Sequence, residues 1–315
     1  MNPSLKIGTR GSQLALWQAN WVKAAFAKKF PHQALELVVI KTQGDKILDV
    51  PLAAVGGKGL FVKEIEQALL DRRIDLAVHS MKDMPSDIPE ELCLGAVPER
   101  EDPTDVLISK SGRRLAELGA DSVIGTSSLR RAAQLRHARP DIRIIPLRGN
   151  LDTRLRKLDT ETIDAIVLAA AGVKRLGLDG RVTEYLDHEI MLPAVGQGAL
   201  YIEIRQNDPV VGPLVNALDH AHTRAVVMGE RAFLKRLEGG CQVPIAGHGH
   251  IEQDRFTLQG LVAHVDGAPL FRASLSGAAV SSERIGVKLA EALLAKGADK
   301  ILEQLKSVEP ANYAS

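Results

Sequence analysis

The sequence predicts an α/β protein: two α/β lobes followed by a separate α+β domain. Three observations carry this. Short apolar runs alternate with amphipathic helical stretches up to about residue 205, a pattern that builds largely parallel sheets flanked by helices. Two stretches are echoed later in the chain. Ile7-Gly8-Thr9-Arg10-Gly11-Ser12 has a counterpart in Ile124-Gly125-Thr126-Ser127-Ser128, and Ile74-Asp75-Leu76-Ala77-Val78 in Ile163-Asp164-Ala165-Ile166-Val167. From about Ala221 the alternation gives way to a helix, strand-like runs and a terminal helix.

Taken in order, Leu35–Lys41, Ile74–His79, Ile142–Leu147, Ile163–Ala169 and Ala199–Ile204 read as strands. Leu14, Trp17 and Trp21 fall at helical spacing, as do Phe61, Ile65 and Leu69. Glu101-Asp102-Pro103 and Leu192–Gly198 read as crossings between lobes, a paired hinge if the second lobe is inserted in the first. The boundaries that follow are 1–99 with 195–219 for lobe 1, 100–194 for lobe 2, and 220–315 for the last domain. In that domain a helix over Thr223–Leu237 precedes strands with an Asp266-Gly267 turn, and the terminal helix breaks near Gly297.

Composition bounds the function. The chain has 315 residues, 45% hydrophobic and 25% charged, with a net charge of +1. No whole-chain field argues for nucleic acid or a membrane surface, and no apolar run approaches the roughly 20 residues of a membrane span. The opening residues lack a charged region followed by an apolar one, so no secretory signal is expected and a cytoplasmic location follows. The two cysteines, Cys93 and Cys241, form no metal-binding pattern, so no metal is expected. Cys93 lies in an apolar setting and reads as an inert core residue, whereas Cys241 follows Gly239-Gly240.

Chemistry concentrates in four places. Between Arg130 and Arg156 stand eight arginines and only two acids, Asp141 and Asp152. A solvated basic face would account for such a run. One detail favours an anion site: Thr126-Ser127-Ser128 reads as a helix N-cap, which puts Arg130 and Arg131 in the first turn. There they oppose the helix dipole at ~0.3–1 kcal/mol each, the kind of local conflict expected at a functional site. An anion would meet free N–H groups, hydroxyls and guanidinium groups together. Arg10-Gly11-Ser12 repeats the arrangement in the first lobe, and Arg148-Gly149-Asn150 ends another strand. Facing lobes of this kind imply a cleft for a ligand with several carboxylates or phosphates, which arginine grips in bidentate fashion. Val55-Gly56-Gly57-Lys58-Gly59-Leu60-Phe61 lacks Walker spacing and reads as a lid carrying Lys58 or as a plain loop. His79-Ser80-Met81-Lys82-Asp83 follows an apolar strand, where α/β folds place catalytic groups, although Asp83 beside Lys82 could be an ordinary exposed pair. Cys241 is open to two readings on its residues alone, nucleophile or structural cysteine.

Seven segments in this order resemble the porphobilinogen deaminases across essentially the whole chain: Val55–Leu70, Asp75–Pro85, Glu99–Asp105, Gly125–Arg131, Leu147–Asp159, Leu192–Gly198 and Arg236–Pro244. The resemblance implies two lobes like those of periplasmic binding proteins around a cleft, plus a third, cofactor-carrying domain. It implies a transferase of porphyrin and heme biosynthesis, whose dipyrromethane cofactor is a primer held by a thioether to Cys241. Four porphobilinogens are added with loss of ammonia, each through an electron-poor azafulvene, and the linear tetrapyrrole hydroxymethylbilane is released by hydrolysis. By the same resemblance Asp83 is the catalytic carboxylate. Lys82, Asp83, Thr126, Ser128, Arg130, Arg131 and Arg148 hold the cofactor, while Arg10, Ser12, Lys58, Phe61, Arg148 and Arg154 meet the substrate. Monomeric state is implied as well. One departure is visible: the family often has lysine just before Val55, where this chain has Ala54.

Two rival readings stand beside this. A non-enzymatic two-lobe anion-binding protein explains the lobes and arginines but not Asp83 or Gly239-Gly240-Cys241. A nucleic-acid-binding protein would use the arginines on phosphates, yet aromatic content is only 3%, which leaves little for base stacking.

Overall fold

The computed structural model describes residues 4–46, 59–237 and 243–307. In chain order its strands are β1 (Leu5–Thr9), β2 (Leu35–Val39), β3 (Leu76–Ser80), β4 (Leu92–Ala96), β5 (Asp105–Ser109), β6 (Val123–Gly125), β7 (Arg143–Ile145), β8 (Ala165–Ala169), β9 (Glu184–Tyr185), β10 (Leu200–Arg205), β11 (Ile245–Glu252), β12 (Arg255–Ala263) and β13 (Leu270–Ala278). They form two five-stranded sheets and one of three strands. Two compact units result, one of residues 4–46, 59–101 and 198–224, the other of residues 102–197, 225–237 and 243–307.

The first unit holds the sheet β2-β1-β3-β10-β4. β1 pairs in parallel with β2 and β3, and β10 runs antiparallel to β3 and β4. β3 and β10 are almost wholly buried, as strands covered on both faces must be. One face packs Ile7, Val78 and Ile202 under Val22 and Phe26 of the helix Gln13–Lys29. The other packs Ala77 and Leu92 under Ile65 and Leu69 of the helix Lys63–Leu70. Helical spacing located Gln13–Lys29 correctly but not its buried face. Gln18, Ala19, Val22 and Phe26 point inward, while Trp21 is 38% exposed. Ala19, Val22 and Phe26 set the buried face by packing in the core, and Gln18 beside them donates to the Ser80 hydroxyl at 2.9 Å.

The second unit contains a sheet of the same pattern, β7-β6-β8-β5-β9, in which β6 is parallel to β7 and β8, and β5 antiparallel to β8 and β9. The echoed sequences occupy equivalent strands: the ends of β1 and β6, and the strands β3 and β8. In each sheet the fourth strand in spatial order, β10 or β5, is antiparallel to both of its neighbours. The mixed α/β class therefore stands. Periodicity alone does not reveal β4, β5 or β9.

The same unit carries the antiparallel sheet β11-β12-β13, as the α+β ending requires. Its helices Ala221–Arg236 and Ser282–Leu293 cross where Gly229 meets Gly286. A Cβ on Gly286 would lie 2.1 Å from the Gly229 carbonyl oxygen, so only glycine permits this approach. The terminal helix breaks as expected, with Gly297 at φ 108° before Asp299–Ser307. Among the described residues no helix is long and apolar enough to cross a membrane.

Candidate active site

In each α/β sheet the candidate residues gather at the carboxyl ends of the parallel strands, where open α/β sheets bind ligands. In the first unit β1 ends at Thr9, and Arg10-Gly11-Ser12 leads into the helix Gln13–Lys29. The Ser12 hydroxyl caps this helix by accepting from the Ala15 amide at 3.3 Å. The Arg10 guanidinium lies over the Phe61 ring, 4.1 Å from its centroid, a cation–π contact. β3 ends at Ser80 and a short 3-10 turn, Met81–Asp83, follows. The Met81 amide donates to the Ala199 carbonyl at 3.0 Å, which holds the turn to the start of β10. Lys82 is half-buried. Asp83 is exposed, and no described residue hydrogen-bonds to its carboxylate.

In the second unit β6 leads into Thr126-Ser127-Ser128 and the helix Leu129–Ala138. Thr126 Oγ1 accepts from the Ser128 amide at 3.2 Å, and the Ser128 hydroxyl caps the helix by accepting from the Arg131 amide at 3.4 Å. Arg130 and Arg131 are in the first turn, as the sequence reading placed them. Their side chains fold inward onto Asp105, the buried first residue of β5. Arg130 Nη1 reaches Asp105 Oδ2 at 2.7 Å and Arg131 Nη2 reaches Oδ1 at 2.7 Å. The Leu192 and Val167 carbonyls accept further bonds from them. The anion that offsets these two cations at the helix start is thus a residue of the chain itself. Asp105 was passed over because it stands at the head of an apolar run that was not read as a strand.

Arg148 behaves differently. It follows β7, is half-buried, and its Nη1 is enclosed without a hydrogen-bond partner. Burial pushes its guanidinium pKa down. A buried, unmatched guanidinium nitrogen is costly, and the described residues supply no acceptor for it. Next to it, Arg154 Nε donates to the Gly149 carbonyl at 2.9 Å. Lys58, Cys241 and Ala54 lie outside the described residues.

Other groups that the sequence reading did not single out brace these positions. Gln197 Nε2 bonds Asp105 and the Pro103 carbonyl. Glu230, fully buried, accepts from the Gly196 amide at 2.7 Å and the Gly249 amide at 2.8 Å, which ties the segment before β10 to β11. Cys93 sits half-buried on β4, packed against the core of the first sheet. Burial pushes its thiol pKa up, which keeps it protonated and unreactive. Among the described residues no group of three or more His, Cys, Asp or Glu side chains is arranged to hold a metal.

Chemically, the first unit offers an exposed carboxylate beside a lysine, with a stacked arginine on a neighbouring strand end. The second offers hydroxyls and an unmatched guanidinium. Each set by itself offers groups able to interact with a charged ligand.

The comparisons with known proteins agree along the chain. Residues 5–212 match the family domain described as porphobilinogen deaminase, dipyromethane cofactor binding domain, and residues 225–295 match the porphobilinogen deaminase C-terminal domain. A porphobilinogen deaminase of Pelobacter propionicus is 55% identical over 301 residues, covering 96% of this chain and 97% of that one. One of Geobacter metallireducens is 54% identical over 307 residues, covering 98% and 96%. Among solved structures, a putative molybdenum transporter's substrate binding domain from Clostridium difficile aligns with 72% of this chain and 96% of that one, at 12% identity and a TM-score of 0.44.

Proposed function

From the premise that this chain belongs to the porphobilinogen deaminase family, we propose that Asp83 is its catalytic carboxylate and Cys241 the covalent anchor of its primer. The chemistry is the family's: a transferase that joins porphobilinogen units with release of ammonia on a dipyrromethane cofactor and frees a linear tetrapyrrole, hydroxymethylbilane, by hydrolysis. A purely binding role is set aside by the same membership.

The residues present fit that cofactor. A dipyrromethane made from the substrate carries several carboxylates, and the enclosed, unmatched Nη1 of Arg148 needs an acceptor of that kind. Thr126, Ser128 and Lys82 would add hydroxyl and ammonium donors. Arg130 and Arg131 would contribute field more than direct contact while Asp105 holds them. When bound, the group supplies the pyrrole carbon at which the chain grows.

The protein's own part is electrostatic. Loss of ammonia leaves positive charge on the substrate pyrrole. Asp83, exposed and unpaired, accepts pyrrole N–H bonds and stabilises that charge as it develops. The same carboxylate takes and returns protons. Arg10, backed by Phe61, and Arg154 bind substrate carboxylates, with Ser12 and Lys58 beside them. One observation carries the reading: the exposed, unpaired carboxylate stands at the carboxyl end of a buried strand, within the span that matches the cofactor-binding domain.

The protein acts as a cytoplasmic monomer without nucleic acid. Light scattering should then return about the chain mass of 34.0 kDa. The deciding experiment is the intact mass of wild type and Cys241→Ser. An excess of two linked pyrrole units on wild type, absent from the variant, is expected. If wild type shows no adduct after incubation with porphobilinogen, the anchor assignment fails.

A further inference from the structure

We propose that Glu66, His79 and Glu203 form a buried positioning cluster behind the site, which fixes the turn carrying Asp83 relative to the turn carrying Phe61. The proposal deepens the assignment of Asp83 as the catalytic carboxylate and rests on it.

Apart from Ser80 and Arg205 at their ends, the neighbouring strands β3 and β10 carry one polar pair in an otherwise apolar or aromatic interior. His79 Nε2 and Glu203 Oε2 are 3.0 Å apart, with side chains 4% and 0% exposed. They lie diagonally on one face, since the register opposes His79 to Tyr201 and Ala77 to Glu203. Charged groups in such a place are costly unless paired, so an apolar pair would serve stability as well. Glu66, on the helix Lys63–Leu70 that packs against β3 and β10, is also buried. Glu66 Oε1 and Glu203 Oε1 are both enclosed without a hydrogen-bond partner.

Position explains the retention of polar groups. His79 stands four residues before Asp83, at the end of the strand that feeds the Met81–Asp83 turn. Glu66 stands one helical turn after the Gly59–Val62 turn that carries Phe61, on which Arg10 stacks. One cluster therefore grips two site-bearing segments from behind.

Charge sets its working state. Burial, then the Glu203 carboxylate, pushes the Glu66 pKa up, while His79 and Lys63 pull it down. Glu66 thus holds its proton to higher pH than an ordinary carboxyl group. The other titratable groups around the cluster are Tyr201 on β10, whose ring meets His79 edge-on, and Cys93 on β4, which feels Glu203 and Arg224. Ionisation of Glu66 at rising pH sets two carboxylates against one imidazole and loosens the grip.

The test compares holoenzyme variants Glu203→Gln, Glu66→Gln and Asp83→Asn, each weighed for the same covalent adduct as wild type and melted to establish folding. Glu203→Gln is expected to lower kcat by about 10- to 100-fold with KM changed by less than about threefold, the signature of a misplaced transition-state group. Wild-type kcat should fall as pH rises through the Glu66 ionisation, and Glu66→Gln, a neutral isostere, should remove that step. A folded, fully loaded Glu203→Gln with wild-type kcat, or with KM raised as much as kcat is lowered, overturns the proposal. So does a kcat–pH profile in Glu66→Gln identical to that of wild type, which decides the matter should Glu203→Gln not fold. An active Asp83→Asn overturns the catalytic assignment itself. An inactive one beside unaffected Glu66→Gln and Glu203→Gln overturns only the cluster.

Discussion

At the scale of single residues, the site separates groups that are matched from groups that are not. Asp83 is exposed and unpaired, so it contributes little to the fold. Asp83→Asn should leave the melting temperature within about a degree of wild type, since exposed substitutions shift stability by less than about 0.5 kcal/mol. Turnover should drop by about 10²–10⁴-fold, the range of a lost general base or charge stabiliser. Steady-state rates with porphobilinogen check both claims, and near-wild-type turnover rules the assignment out. Arg148 is the converse case. Its enclosed Nη1 has no partner, so Arg148→Leu should cost no stability and could add some. Ligand binding should weaken by about 10- to 100-fold, the worth of a charge-assisted hydrogen bond of about 1.5–3 kcal/mol. Adduct formation followed by intact mass, together with KM, would register that loss. Unchanged values would mean that no ligand carboxylate meets Arg148.

At the scale of elements, termini and breaks carry the local energetics. Asp208 accepts from the Val210 and Val211 amides at the start of the helix Val211–Asn216 and pairs with Arg205 at 3.0 Å. Burial alone would push its carboxyl up, but these hydrogen bonds and the Arg205 charge outweigh it and hold the pKa below the usual value. A lowered pKa means stability that is fully present above the unfolded carboxylate range and is lost as pH falls through the folded value. Asp208→Ala should therefore cost about 0.5–2 kcal/mol at neutral pH, and the gap to wild type should close in acid. Urea titrations at the two pH values measure it. A gap independent of pH would exclude the charged cap. Gly297 marks the break in the terminal helix at φ 108°, with the Phe271 ring 3.2 Å from where a Cβ would stand. Gly297→Ala should lower stability by about 1 kcal/mol or more, visible as a lower melting temperature.

The elements also show where sequence reading succeeds. Asp266-Gly267 and Gly297 were legible because glycine at positive φ leaves a local signature. The two-residue hairpin of Gln253 and Asp254, both at positive φ, was not, because neither is glycine. β5 was missed because its apolar run, Val106-Leu107-Ile108, is too short to show a period of its own.

At the scale of the molecule, two sheets share one strand pattern, and each gathers its candidate residues at the same strand ends. In the second unit the Asp105–Arg130–Arg131 cluster joins β5, the helix Leu129–Ala138 and the segment before β10. Removing the shared carboxylate charge strands two buried cations. Asp105→Asn should thus destabilise the fold by about 3–5 kcal/mol, far more than any cap or surface change. Chemical denaturation gives the value, and a cost below about 1 kcal/mol would mean that the two guanidinium groups find other acceptors.

The sequence by itself determined the α/β class, the helical breaks, the family resemblance and the catalytic candidate. Each of these is written in local order: periodicity, glycine, or residues adjacent in one motif. Only the tertiary structure decided which arginines are spoken for. Arg130, Arg131 and Arg148 look alike along the chain, but Asp105, some 25 residues upstream of Arg130, takes the first two and leaves a nitrogen of the third unmatched. The same holds for His79 and Glu203, 124 residues apart. Charge pairing and burial depend on neighbours in space, and one-dimensional order does not record them.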